Sequence, residues 1–363
     1  MTKSLERQSN FELLKIIAML MIVAHHFVAK NFYNVDTEII GLTINKVFLQ
    51  FFGNQAFIGN NLFFMCSAWF LIDKRDELAG FPASSFKRIW KLEKAMLFYG
   101  IIFWIVFKLL SYEGATISLL LKSIFPLSTN LWWYPTCYAV FLLIHPFYRK
   151  GLQSLKEDEL KKMLVVMGCV WSVSTLIPVF DYGASNFLCF VMLYAFVYYR
   201  KHFSNKYFDS KRFCVALIVT GYLLVLLSVV VLDSIGIRFS TAGQYACYYL
   251  RGNYRLFPMI ISIAVFELFK DFRINSGIIN YIASLTFGVY LIHMYPSVRD
   301  YMFSSENAVF RLDNIIRSPF LPLIALGEIM LCYCTCMVIE AIRQIIFKCM
   351  KSIIKGIKRR NVV

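Results

Sequence analysis

Apolar residues run in long unbroken stretches separated by short polar or basic patches, a pattern unlike the amphipathic stripes of a soluble helical protein. Ten stretches approach the roughly 20 residues that a helix needs to cross a hydrocarbon core of about 30 Å. They cover 10–29, 54–72, 93–111, 131–148, 163–180, 186–199, 213–232, 256–269, 278–295 and 319–347, the sixth being the shortest. Two-residue alternation with short turns, the mark of a membrane barrel, is missing. The pattern therefore predicts an all-α polytopic membrane bundle of about ten transmembrane helices. The first stretch looks like a signal-peptide core, but Glu12, Lys15, His25 and His26 interrupt it and no small-residue cleavage site follows clearly. It is expected to remain a helix.

Composition agrees. Of 363 residues, 59% are hydrophobic and 17% charged, with a mean hydropathy of +0.60, which excludes soluble globular and disordered classes. The formal charge of +16 would suit nucleic acid, but the basic residues cluster between apolar runs, so no nucleic-acid partner is expected. With the N-terminus placed in the cytoplasm, the inner segments carry 26 Lys and Arg, the outer segments nine and the spans three, completing the 38. Both termini are thus expected in the cytoplasm, in a single membrane domain over 1–363 that ends in a basic tail over about 348–363. The 10 cysteines lie mostly in apolar segments. Cys332, Cys334 and Cys336 alternate around one helix instead of converging, so they read as small hydrophobes and no metal site is expected.

Ionisable groups inside a bilayer are costly and mark functional sites by default. Helix one holds the densest set: Glu12, Lys15 and His26 share one face, because an eleven-residue step returns to within about 20° of its starting direction. His25 points about 100° away. Glu12 and Lys15 also read as an intrahelical ion pair. In the predicted topology the first and ninth helices both run outward, placing His26 and His293 at similar depth. The second and fourth run inward, placing Asn60, Asn61, Trp132, Trp133 and Tyr134 in the same outer half, where they can line one cavity. On frequency alone the Trp-Trp-Tyr run reads more readily as an interfacial aromatic belt than as a substrate platform. His145, before Pro146 at a cytoplasmic helix end, reads as structural.

Lys87, Arg88, Lys91 and Lys94 lie in the inner loop before the third span. Arg88 and Lys91, three residues apart at a helix start, suit a phosphate, although topogenic charge explains them too. Arg238, Arg251 and Arg255 face outward, where topology gives them no role; an anionic glycan or lipid phosphate is the matching ligand.

These residues resemble the membrane-bound acyltransferase family 3, bacterial enzymes that acylate sugars and mainly O-acetylate surface polysaccharides. In that family an acidic residue and Arg precede a catalytic His by ten intervening residues; Glu12-Leu13-Leu14-Lys15, followed by ten residues and His26, is similar, with Lys for Arg. Gly59-Asn60-Asn61-Leu62-Phe63-Phe64-Met65-Cys66-Ser67-Ala68-Trp69-Phe70-Leu71-Ile72 resembles the family's second-helix element, with Ala68 and Trp69 in place of Gly-Phe. Arg88-Ile89-Trp90-Lys91 resembles its Arg-x-x-Arg element, again with a terminal Lys. Leu131-Trp132-Trp133-Tyr134 and Ser284-Leu285-Thr286-Phe287-Gly288-Val289-Tyr290-Leu291-Ile292-His293 match segments of its fourth and ninth helices. Lysine keeps the positive charge of the two replaced arginines without their planar fork.

The resemblance implies acyl-CoA, acetyl-CoA above all, as a cytoplasmic donor and no permanently bound cofactor. The acceptor it implies is a sugar or polysaccharide hydroxyl near the outer face of a multi-pass protein of the bacterial cytoplasmic membrane. Arg88, Lys91 and Lys87 would hold the CoA phosphates, His26 would take the acceptor's proton, and His293, Asn60, Asn61, Trp132, Trp133 and Tyr134 would orient the acceptor or polarise the carbonyl. Glu12, about 21 Å along the helix from His26, cannot touch that ring; its partner would be Lys15 or the donor path. A transporter or flippase for an envelope glycolipid is the alternative, but no matched pair of Pro/Gly-broken helices supports it. The oligomeric state has no signature in the sequence.

Overall fold

The computed structural model describes residues 8–39, 41–73, 80–181, 183–239 and 245–360. Lys3, Arg7, Lys74 and Arg75 of the inner basic set, and 361–363 of the basic tail, lie outside the described residues. Among the described residues fourteen α-helices follow one another: α1 (Ser9–Ala29), α2 (Val35–Glu38), α3 (Ile44–Phe52), α4 (Ala56–Ile72), α5 (Ala83–Leu109), α6 (Ile117–Ile124), α7 (Trp133–Ser154), α8 (Glu157–Trp171), α9 (Asn186–His202), α10 (Lys211–Phe239), α11 (Leu256–Lys270), α12 (Gly277–His293), α13 (Pro296–Arg299) and α14 (Leu321–Arg360). No strand occurs among the described residues.

Each apolar stretch of the sequence is helical, but the helices differ in their fitness to span. Among the described residues four segments are long and apolar enough to cross a membrane alone: Ser9–Ala29, Ile44–Ile72, Lys211–Gly236 and Leu321–Met350; a fifth arises if Gly277–His293 and Pro296–Ser304, bent by 83°, act together. At 17 and 15 residues, α9 and α11 fall short of the about 20 that a straight crossing needs. The stretch expected over 163–180 is helical only to Trp171. Beyond it the Oγ of Ser174 and the Oγ1 of Thr175 donate to the carbonyls of Val170 and Ser172, both at 2.6 Å, and Pro178 opens a second short 3₁₀ turn. Short hydroxyl side chains compete with the helical ladder in this way. In the other direction, α5 begins at Ala83, ten residues before the apolar stretch at 93, so the basic residues join its first turns.

Helix α1 occupies the centre, packed against α4, α11, α12 and α14. Gly59 lets α4 approach: a Cβ there would lie 2.6 Å from the Ala18 carbonyl oxygen. Phe11 packs on Trp69 and Phe266, and Phe64 stacks on Phe190 at 4.0 Å, tying α4 to α9. The peripheral α10 and α14 instead leave Leu223, Leu227, Leu331 and Ile342 exposed, as lipid-facing helices do. The start of α1 is fixed by Asn10, whose Nδ2 donates to the carbonyls of Phe269 (2.9 Å) and Lys270 (3.1 Å) at the end of α11. These bonds satisfy carbonyls that a helix end leaves open.

Charged pairs staple the bundle at both ends. Arg200 of α9 binds Glu267 of α11 at 3.0 Å and Asp209 at 2.5 Å, and this hydrogen bond holds the Asp209 carboxyl below its usual range. Lys46 of α3 binds Asp233 of α10 at 2.9 Å with both side chains buried. Two of the three outward arginines, read from sequence as candidates for an anionic ligand, have partners within the chain: Arg251 pairs with Asp36, and Arg255 with Asp181 at 2.9 Å while stacking on Tyr248. Each partner lies at least 70 residues away in sequence, out of reach of local patterning.

Candidate active site

His26, in the last turn of α1, and His293, the last residue of α12, meet because α1 and α12 pack side by side. His26 Nδ1 lies 2.9 Å from His293 Nε2, with both rings buried. The chain of hydrogen bonds fixes their tautomers. His293 Nδ1 is 2.6 Å from the Val289 carbonyl oxygen, which can only accept, so that nitrogen carries the hydrogen and Nε2 is left with a lone pair. His26 must then donate from Nδ1. Its Nε2 is consequently a lone-pair nitrogen, held in orientation by two hydrogen bonds in series.

His26 lines a cavity of about 180 Å³ with His25, Asn60, Trp133, Asn186, Asn253 and Tyr290. The asparagines form a relay: Asn60 Nδ2 donates to Asn253 Oδ1 (3.3 Å), and Asn253 Nδ2 donates to Asn186 Oδ1 (2.9 Å). Asn61 stands behind it, giving Nδ2 to the Asn253 carbonyl at 2.8 Å and receiving Cys189 Sγ at 3.4 Å. Polar amides and two imidazoles against a Trp face suit a hydroxyl-bearing ligand.

Of the aromatic run, only Trp133 lines this cavity. Trp132 is buried against Tyr295, and Tyr134 packs among Phe63, Phe190 and Tyr290. The indole N–H of Trp132 and the hydroxyl of Tyr134 find no hydrogen-bond partner among the described residues. His25 Nδ1 lies 2.5 Å from the Gly53 carbonyl oxygen. His145 is buried beside the Tyr194 hydroxyl at 2.7 Å, inside the α7–α9 contact.

The remaining residues singled out from sequence are elsewhere. Glu12 accepts from Lys15 Nζ at 2.8 Å on the first turns of α1, four turns from His26. A carboxylate suits the positive end of a helix dipole. Lys87, Arg88 and Lys91 lie in the first turns of α5, with Lys87 and Lys91 exposed and Arg88 half-buried. Ser85 Oγ anchors this end by donating to the Leu142 carbonyl at 2.9 Å. Fifteen residues on, Phe103 packs on Tyr295, two positions after His293, so about 22 Å of helix separates the basic cluster from the neighbourhood of the dyad. The sequence pattern marks neither Asn186, the first residue of α9, nor Asn253, in the connection before α11. Gly288 lies on α12, one turn and a half before His293. It lets the buried Glu340 carboxylate sit against α12, since a Cβ there would overlap it. No cluster of three or more His, Cys, Asp or Glu fit to hold a metal occurs among the described residues.

Fold and site together define an all-helical membrane protein in which a buried histidine pair presents His26 to a polar cavity. The chain matches the acyltransferase domain family over residues 8–338, most of its length, and belongs to that family, acyltransferase family 3. Comparison with curated proteins finds no match, and comparison with solved structures finds none either.

Proposed function

We propose that this membrane acyltransferase moves an acyl group, acetyl above all, from cytoplasmic acyl-CoA to a hydroxyl of a cell-envelope or exported polysaccharide sugar. The observation that carries the reading is the Val289–His293–His26 hydrogen-bond series, which leaves a basic imidazole nitrogen at a cavity fit for a hydroxyl. His26 Nε2 takes the acceptor proton as the hydroxyl oxygen attacks the thioester carbonyl carbon; when the carbon–sulfur bond breaks, the proton passes to the departing CoA thiolate. His293 acts as the positioning residue, since its neutral Nε2 accepts from the imidazolium formed at His26. The Nδ2 hydrogens of Asn60 and the face of Trp133 are placed to orient acceptor and carbonyl.

The donor's phosphates are assigned to Arg88, Lys91 and Lys87 at the start of α5, with its pantetheine arm running along that helix toward the dyad. Clustered cations near a helix start favour phosphate through their charge and their hydrogen-bond donors. Replacing both Arg88 and Lys91 with Ala should weaken acyl-CoA binding by about tenfold at low ionic strength, with less effect at high salt. Equal affinities of wild type and variant in a titration of the purified protein would return these residues to a topogenic role.

Ten crossings with both termini cytoplasmic, in the bacterial cytoplasmic membrane, complete the proposal, supported by the 26-to-nine split of basic residues. A reporter fused after Val363 should signal from the cytoplasm. An external signal would require an odd number of crossings, and the short α9 would be the first to leave the count.

A further inference from the structure

A second chamber, of about 280 Å³, adjoins the histidine cavity; one water needs only about 10–15 Å³. The same two stretches of chain line both. Val28 and Ala29 follow His25 and His26 within a turn, and Gly53 and Asn54 directly precede Ala56 and Phe57. The hydrogen bond from His25 Nδ1 to the Gly53 carbonyl forms the sill between them.

The chamber's wall is prepared before any ligand arrives. Asp36 pairs with Arg251, and its Oδ1 also accepts from Gln50 Nε2 at 3.0 Å. Arg251 Nε donates to Asn54 Oδ1 at 3.3 Å, and Asn54 Nδ2 to the Gln50 carbonyl at 2.6 Å. Gln50 is buried and braced from behind by the Lys46–Asp233 pair, to which its Nε2 reaches at 3.4 Å. Yet the pair remains reachable, the Arg251 side chain being 42% and that of Asp36 16% accessible. The two charged side chains that line the chamber cancel, so it offers no net attraction to a phosphate or an acidic glycan. A fixed guanidinium beside a fixed carboxylate instead matches two adjacent hydroxyls, each giving its hydrogen to the carboxylate or accepting from the guanidinium. Holding both groups in place in advance reduces the ordering cost of binding.

We propose that this chamber is a second saccharide subsite, in which Asp36 and Arg251 bind the neutral sugar ring next to the one being acylated. The inference rests on the acyl-transfer reading above and adds that the acceptor spans at least two rings, with Asp36 and Arg251 setting specificity for it. The test uses purified full-length protein with acetyl-CoA and size-sorted fragments of de-O-acetylated surface polysaccharide from the cells that carry the gene. Wild type should favour fragments of two or more rings over single rings by at least about tenfold in kcat/KM, equivalent to about 1.4 kcal/mol. Arg251→Gln should bring that ratio toward one. Should Arg251→Gln fail to accumulate, Ala29→Leu, which adds bulk to the same chamber from α1 and keeps both charged residues, must lower the ratio likewise. A wild-type ratio near one, or a ratio that neither variant changes, overturns the subsite while leaving acyl transfer intact. Absence of transfer to every fragment overturns the proposed function itself, and the subsite falls with it.

Discussion

Replacing His26 with alanine should lower acyl transfer by about 10² to 10⁴ fold, the usual loss when a general base is removed. The loss should fall on kcat, because nothing assigned to donor binding touches this ring, and acyl-CoA affinity should persist. Three comparisons sharpen the expectation. His293→Ala should also be slow, since the His26 ring then loses the acceptor for its Nδ1–H. His293→Gln should keep more activity than His293→Ala, because Oε1 of a glutamine can accept the same hydrogen. His25→Ala should be milder than His26→Ala, since His25 is tied to the Gly53 carbonyl and stands outside the Val289–His293–His26 series. Each variant must insert and accumulate like wild type for its rate to count. A well-folded His26→Ala that keeps most of its activity, beside an inactive His25→Ala, would assign the base to the neighbouring ring.

The largest expected loss of stability lies at the contact of α3 with α10. Lys46 Nζ and Asp233 Oδ1 meet at 2.9 Å with side-chain exposures of 4% and 0%, and the second oxygen of Asp233 has no other partner among the described residues. Lys46→Met removes the ammonium, keeps most of the side chain's length and leaves the buried carboxylate only the 3.4 Å hydrogen bond from Gln50 Nε2. Removing one partner of a buried pair typically costs about 3–5 kcal/mol, whereas replacing both with apolar groups is often neutral or better. The single variant should therefore unfold at clearly lower temperature or denaturant in detergent, and adding Asp233→Leu should restore most of the loss. Wild-type stability in the single variant would mean that water reaches Asp233 and that the pair is not a staple.

The reach of the sequence can be judged residue by residue. Continuous apolar runs marked all ten principal helices because lipid-facing and protein-facing sides are both apolar, so composition alone defines the segment. Their ends were less legible. The first turns of α5 are polar and basic, and the hydroxyls of Ser174 and Thr175 stop α8 by a local competition that hydropathy does not register. The meeting of His26 with His293 was foreseeable because two helices running the same way place residues equally far along them at equal depth. Asn253 and Asn186 were not, since their relay depends on a loop folding back over α4 and α9. The same holds for Arg251 and Arg255: charge alone suggested an external anion, whereas Asp36 and Asp181 come from separate connections that only the packed bundle brings within reach.

The central claim is transfer of an acyl group to a sugar hydroxyl through His26. Its most direct test is mass spectrometry of de-O-acetylated envelope glycan after incubation with isotopically labelled acetyl-CoA and the purified chain in lipid nanodiscs. Wild type should place the label on the glycan as an ester, and His26→Ala should bind the labelled donor yet leave the glycan unlabelled. Equal labelling by both proteins, or none by a wild type that binds the donor, would contradict the account.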